Sequence, residues 1–100
     1  MSFERDLNYF MKLLYEESFK KSLKSIIYYK SKDKALSAKN FKQDIKNRFG
    51  ILCYNSYMYR KSIYFDDDYY RDFVYKGYTI IYKIEKDFIK VLDIFKWQDR

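Results

Sequence analysis

Between Gly77 and Glu85 the sequence reads YTIIYKI, in which Tyr78, Ile80, Tyr82 and Ile84 alternate with Thr79, Ile81 and Lys83. A two-residue period sends one set to each side of an extended strand, so one side is apolar throughout and must be covered. Gly77 supplies a tight turn back to the Tyr- and Val-rich stretch Tyr69–Tyr75, and EKD at 85–87 turns the chain into a last apolar run, Phe88–Trp97. Lys90, Asp93 and Lys96 break strict alternation there, which predicts a central strand covered on most of both faces. Whatever covers the apolar side must come from upstream.

Upstream the period lengthens. Phe19, Leu23, Ile26 and Ile27 fall on one helical face while Lys20, Lys21 and Lys24 take the other, and Glu16 and Glu17 stand in the first turn, where the helix dipole favours acids. This helix is expected to end near Ser31, with Asp33 capping a second one over about 33–49. The second helix would bury Ala38, Phe41, Ile45 and Phe49 and stop at Gly50. So short a connection makes the two an antiparallel hairpin. KLLY at 12–15 suits a short strand before it. Phe3, Leu7 and Phe10 share helical spacing, so residues 1–10 read as an N-terminal extension, helical or frayed, to a single domain over 11–100. The segment 51–68 has no clean period. The resulting order is β-α-α-β-β-β: an α+β fold with a helical hairpin packed on one face of a mostly antiparallel sheet.

One hundred residues, 48% of them hydrophobic, support one packed core, and 13 Tyr and 9 Phe do most of the burying. A single cysteine, Cys53, makes no internal disulfide, and no apolar run approaches membrane-spanning length, so a cytoplasmic protein is expected. The net charge of +7 is uneven. Residues 11–65 hold 13 basic and 4 acidic side chains, and residues 66–100 hold 7 and 8. An anionic partner fits that imbalance, as do lysines that merely solvate helices.

The absences exclude most enzyme classes. With no histidine there is no His-based acid–base catalysis or His-ligated metal, and two glycines allow no phosphate-binding loop. Asp66, Asp67 and Asp68 on extended chain point apart and read as a solvated loop, and Cys53, amid aromatics, reads as a buried inert thiol. No cofactor, metal or small-molecule substrate is expected. What remains is basic–aromatic interleaving: Arg60 and Lys61 after Tyr59, then Arg71, Lys83, Lys90, and Lys96 beside Trp97. Such residues grip phosphate and stack on bases, and Lys or Tyr can move protons where His is missing.

A strand, a helical hairpin and then YYRDFVYKGYTIIYKIEKDFIKVLDIFKWQD resemble the RelE/ParE superfamily of bacterial type II toxin–antitoxin toxins over about 11–99. The most specific part is the end: Arg71 before the turn, Tyr78 to Ile84, then Val91 to Phe95 closing on Gln98 and Asp99. The resemblance implies a growth-arresting toxin with one of two activities, poisoning of DNA gyrase or ribosome-dependent cleavage of mRNA. The first is favoured, because the tail FKWQDR has no His or terminal Tyr where ribonuclease members often carry one, and Thr79 stands where many have a second Arg. A catalytically inactive binding protein on the toxin fold is the further alternative. For the ribonuclease arm the candidate catalytic residues are Arg71, Lys83 and Tyr82. Arg60, Lys61, Lys90, Lys96 and Trp97 are candidates for binding the target or nucleic acid. The implied partner is an acidic antitoxin that wraps the toxin, with gyrase or the ribosome and its mRNA as target, and no membrane.

Overall fold

The computed structural model describes residues 10–96, so most of the expected N-terminal extension and Trp97, Gln98 and Asp99 lie outside the described residues. Seven elements follow in order: β1 (Lys12–Tyr15), α1 (Glu17–Asp33), α2 (Ala35–Leu52), β2 (Arg60–Lys61), β3 (Tyr70–Tyr75), β4 (Tyr78–Ile84) and β5 (Phe88–Lys96). The five strands form one sheet in the order β1-β5-β4-β3-β2. β1 runs parallel to β5 and every other pair is antiparallel. The expected α+β arrangement is therefore present, with a two-residue strand added from the segment that had no clean period.

Ile80, Tyr82 and Ile84 of β4 lie opposite Ile94, Val91 and Ile89 of β5, and all six join Phe73 and Tyr75 in the core beneath the hairpin. The hairpin contributes Phe19, Phe41, Ile45, Phe49 and Leu52. β5 is central, as its broken alternation predicts, and its register slips between Val91 and Asp93. At that bulge the strand is bonded to the start of α1. Ser22 Oγ donates to Asp93 Oδ1 at 2.9 Å, Ser18 Oγ to the Leu92 carbonyl at 2.7 Å, and the Glu16 N–H to the Val91 carbonyl at 2.9 Å. The first turns of α1 thus close the edge of β5 that β1 leaves unpaired.

Two helix boundaries differ from the sequence reading. Asp33 belongs to α1 rather than capping α2, whose N-cap is Lys34 with no side-chain cap. Gly50 does not stop α2. The helix runs to Leu52, which is fully buried, and that burial offsets the modest helix penalty of an exposed glycine. The turn at Lys76–Gly77 has φ of 49° and 85°, the left-handed pair that a two-residue hairpin needs.

Candidate functional site

The register divides the sequence-derived site residues between the two faces of the sheet. Arg71 lies opposite Tyr82, so both share the helix-covered face, whereas Lys83 lies opposite Tyr70 and Lys90 on the other. The three candidate catalytic residues therefore do not converge. Tyr82 is fully buried and donates its hydroxyl to the Ser56 carbonyl at 2.8 Å. Burial pushes its pKa well above the ordinary tyrosine value, despite the nearby Arg71 guanidinium. A group held neutral and closed to solvent has no route to a substrate proton, so Tyr82 is a core residue.

Arg71 is committed to backbone. Its Nε donates to the Asp68 carbonyl at 2.9 Å and its Nη1 to the Tyr59 carbonyl at 3.1 Å, with the guanidinium 4.9 Å from the Tyr57 ring centre. It binds the loop after α2 to the loop before β3.

Four of the remaining cations on the sheet are matched by acids. Arg60 Nε lies 2.5 Å from Oδ1 of Asp72, a residue with no exposure at all, whose Oδ2 accepts the Ile63 N–H at 3.3 Å. Lys61 pairs with Asp68 at 3.1 Å, Lys83 with Glu85 at 3.4 Å and Lys90 with Glu16 at 3.9 Å. The Glu85 contact raises the Lys83 pKa, so this lysine stays charged and is a poor proton carrier near neutrality. Lys96 ends β5 and is exposed; Trp97 lies outside the described residues.

This face is also partly roofed by the chain between β2 and β3. Tyr64 packs edge-on against Phe95 at 5.6 Å, Phe65 stacks on Tyr70 at 4.1 Å, and Asp72, Thr79 and Ile81 are buried. Asp67 accepts the Tyr69 N–H at 2.9 Å while Asp68 holds Lys61, so the acidic run is divided between a turn and an ion pair. Among the described residues no group of His, Cys, Asp and Glu converges for a metal. Cys53 is buried, and burial raises its pKa, which keeps it a thiol.

A second region went unread in the sequence. Between α1 and α2 runs a groove of about 470 Å³ whose floor is Phe19, Leu23, Ile27, Ile45 and Phe49. Tyr15 of β1, Lys20 and Lys24 of α1, and Lys42 and Lys46 of α2 complete its lining, with no acidic residue among them. The signal was present in outline: each lysine pair has i, i+4 spacing beside the apolar stripe of its own helix. Which stripe faced which could not be read before the hairpin was assembled.

Over residues 13–99 the chain matches the family described as the ParE toxin of type II toxin-antitoxin system, parDE. The chain belongs to the ParE toxin family. It is thus a ParE toxin of a type II toxin–antitoxin system, the class its C-terminal hairpin implied. The ParE fold is evident independently of sequence. A solved structure described as the chromosomal ParDE TA system from P. aeruginosa superposes with a TM-score of 0.71 at 18% identity, covering 90% of this chain and 99% of that one. A comparison with curated proteins gave no match. Among the described residues of this ParE chain, no helix is long and apolar enough to cross a membrane.

Proposed function

We propose that this ParE toxin arrests growth by acting on DNA gyrase as a binding protein and catalyses no RNA cleavage. The observation that carries this reading is the state of the sheet. Metal-independent cleavage at a 2′-hydroxyl needs a free cation at the phosphate and two groups that exchange protons. Here, of the site candidates described, Arg60, Lys61, Lys83 and Lys90 face carboxylates, Arg71 bonds two carbonyls and Tyr82 is sealed in the core, which leaves Lys96 at the end of β5 as the one cation without such a partner. A gyrase target requires a cytoplasmic protein, and one buried free thiol is compatible with a reducing compartment.

The same reading includes an antitoxin. The groove between α1 and α2 fits an amphipathic acidic segment, with apolar side chains on the Phe19–Phe49 floor and carboxylates toward Lys20, Lys24, Lys42 and Lys46. Occupancy there would neutralise four like charges held close together.

The test is a paired assay of the purified protein. Inhibition of gyrase supercoiling together with intact mRNA in a translating ribosome extract is the expected result. Ribosome-dependent cleavage would overturn the gyrase reading. Absence of both effects, with growth unimpaired on expression, would point to the inactive binding protein. For the partner, reversing Lys20, Lys24, Lys42 and Lys46 to Glu should weaken capture of the co-expressed antitoxin by roughly tenfold or more; unchanged capture would remove the groove from the interface.

A further inference from the structure

The hairpin Glu17–Leu52 carries ten Lys and Arg against three Asp and Glu, so it holds the whole formal charge of +7. The other 64 residues hold eleven of each sign. A coding preference for lysine would spread it along the chain; it would not confine the excess to two helices.

Within the hairpin the excess reaches its tip. Lys30 and Lys32 lie in the last turn of α1, and Lys34 joins the helices. The helix dipole accounts for cations at the end of α1. Lys34 is at once the C-cap of α1, where a cation is favourable, and the N-cap of α2, where it is not and no acid occupies the first turn. Lys30 Nζ lies 4.7 Å from the Phe41 ring centre and 5.4 Å from that of Tyr78, which sets the tip beside the β3–β4 turn and its exposed Lys76. Asp33 is the one acid in the segment Tyr28–Lys39.

The tip also exposes aromatic surface that the core does not use. Tyr28 is 56% exposed and Tyr29 65%, their rings 5.4 Å apart and near perpendicular, with Lys32 Nζ 5.0 Å from the first and 5.8 Å from the second. Large aromatics placed outside the core beside cations that meet no carboxylate among the described residues have the chemistry of single-stranded nucleic-acid binding: rings for unpaired bases, ammonium groups for the phosphates between them. An acidic peptide would use the lysines and leave the rings idle, and a duplex would offer the rings no base face.

We infer that the hairpin tip, formed by Tyr28, Tyr29, Lys30, Lys32, Lys34 and Lys76, is a docking surface for single-stranded nucleic acid. It begins just past Ile27, where the lining of the groove on α1 ends, and shares no residue with the groove assigned to the antitoxin. The inference stands apart from the choice of toxin target.

The test is fluorescence anisotropy with a labelled oligothymidylate of roughly 20 nucleotides, using the full chain. Saturable binding is expected, weakening roughly 20- to 50-fold when salt rises fourfold, as three or four neutralised phosphates require. Y28A/Y29A should lose about tenfold in affinity with the salt slope unchanged, because stacking is not ionic. K32E/K34E should lower both affinity and slope, while K42Q/K46Q in the groove leaves binding within about threefold. Absence of saturable binding at low salt overturns the inference. So does equal affinity for a duplex of the same length, polyglutamate or anionic lipid vesicles, as does indifference to Y28A/Y29A in a protein whose circular dichroism is native. Supercoiling inhibition, measured separately on the same variants, keeps a failure here distinct from a failure of the gyrase reading.

Discussion

On the sheet, Arg60, Lys61, Lys83 and Lys90 each have a carboxylate within 2.5–3.9 Å; on the hairpin, Lys20 with Glu17 is the one ion pair among the described residues. The two regions contain similar side chains and use them in opposite ways. Sheet cations hold irregular chain in place: Arg60 secures β2 to the buried Asp72, and Arg71 gathers two loops by their carbonyls. Hairpin cations meet aromatic rings, as Lys30, Lys32 and Arg48 do, far more than carboxylates, which leaves their charge for a partner. A basic residue's identity therefore says less about its role than the distance to the nearest acid.

Arg60→Ala gives the largest expected effect. Removing it leaves Asp72 buried without its counterion, and a loss of about 3 kcal/mol in urea unfolding is expected, at the low end for such pairs because Arg60 is itself half exposed. A loss under about 0.5 kcal/mol would mean that the sheet pairs are as dispensable as ordinary surface contacts, and the contrast would fail.

Arg71→Ala comes next, at about 2 kcal/mol from two charge-assisted bonds to carbonyls. Lys in its place should recover little, since one ammonium does not span the Tyr59 and Asp68 carbonyls as the guanidinium does. If the variant keeps full stability yet loses toxicity, Arg71 acts on the target and does not serve as a brace.

Tyr82→Phe should cost about 1 kcal/mol, by leaving the Ser56 carbonyl without its buried donor. It also has a pH signature. The folded pKa of Tyr82 is raised above the ordinary value of about 10, so the native state holds the proton more tightly than the unfolded chain. That contribution is fully present below about pH 10 and is lost as pH rises through the folded value. Tyr75, raised by burial and by its bond to Asp44, follows the same sign. The variant should show a shallower decline in unfolding free energy above pH 10; an identical slope would remove Tyr82 as its source.

The smallest effect is the most telling for the hairpin. Lys24→Gln with Lys46→Gln, both in the groove, should leave stability within about 0.5 kcal/mol or raise it slightly. A clear loss would show these lysines to be structural and bring the two regions back together.

Much of the fold was legible because it rests on period. The Phe19–Ile27 and Ala38–Phe49 stripes became helix faces, and the alternation of Tyr78–Ile84 became a strand with one side in the core. What was misread depended on partners distant in sequence. Gly50 looked like a stop because nothing local reveals that Leu52 has a buried place to reach. β2 has two residues, too few for any period, and stays in the sheet through Asp72. For the candidate site, the cations were identifiable but their neutralisation was not. Lys90 meets Glu16 only because β1 runs beside β5, and Arg71 and Lys83 part company only because the register puts them on opposite faces.

That pairing of β1 with β5 also sets a timetable. Tyr15 must find Val91, and β5, the strand that joins β1 to the remainder of the sheet, leaves the ribosome after every other element. Until then the core beneath the helical hairpin lacks Ile89, Val91 and Ile94, and the first strand has no neighbour. Long-range closure of this kind comes late in folding. The cell therefore meets a finished toxin only after synthesis of the fold is complete, whereas the cationic hairpin is made early, while translation is still under way.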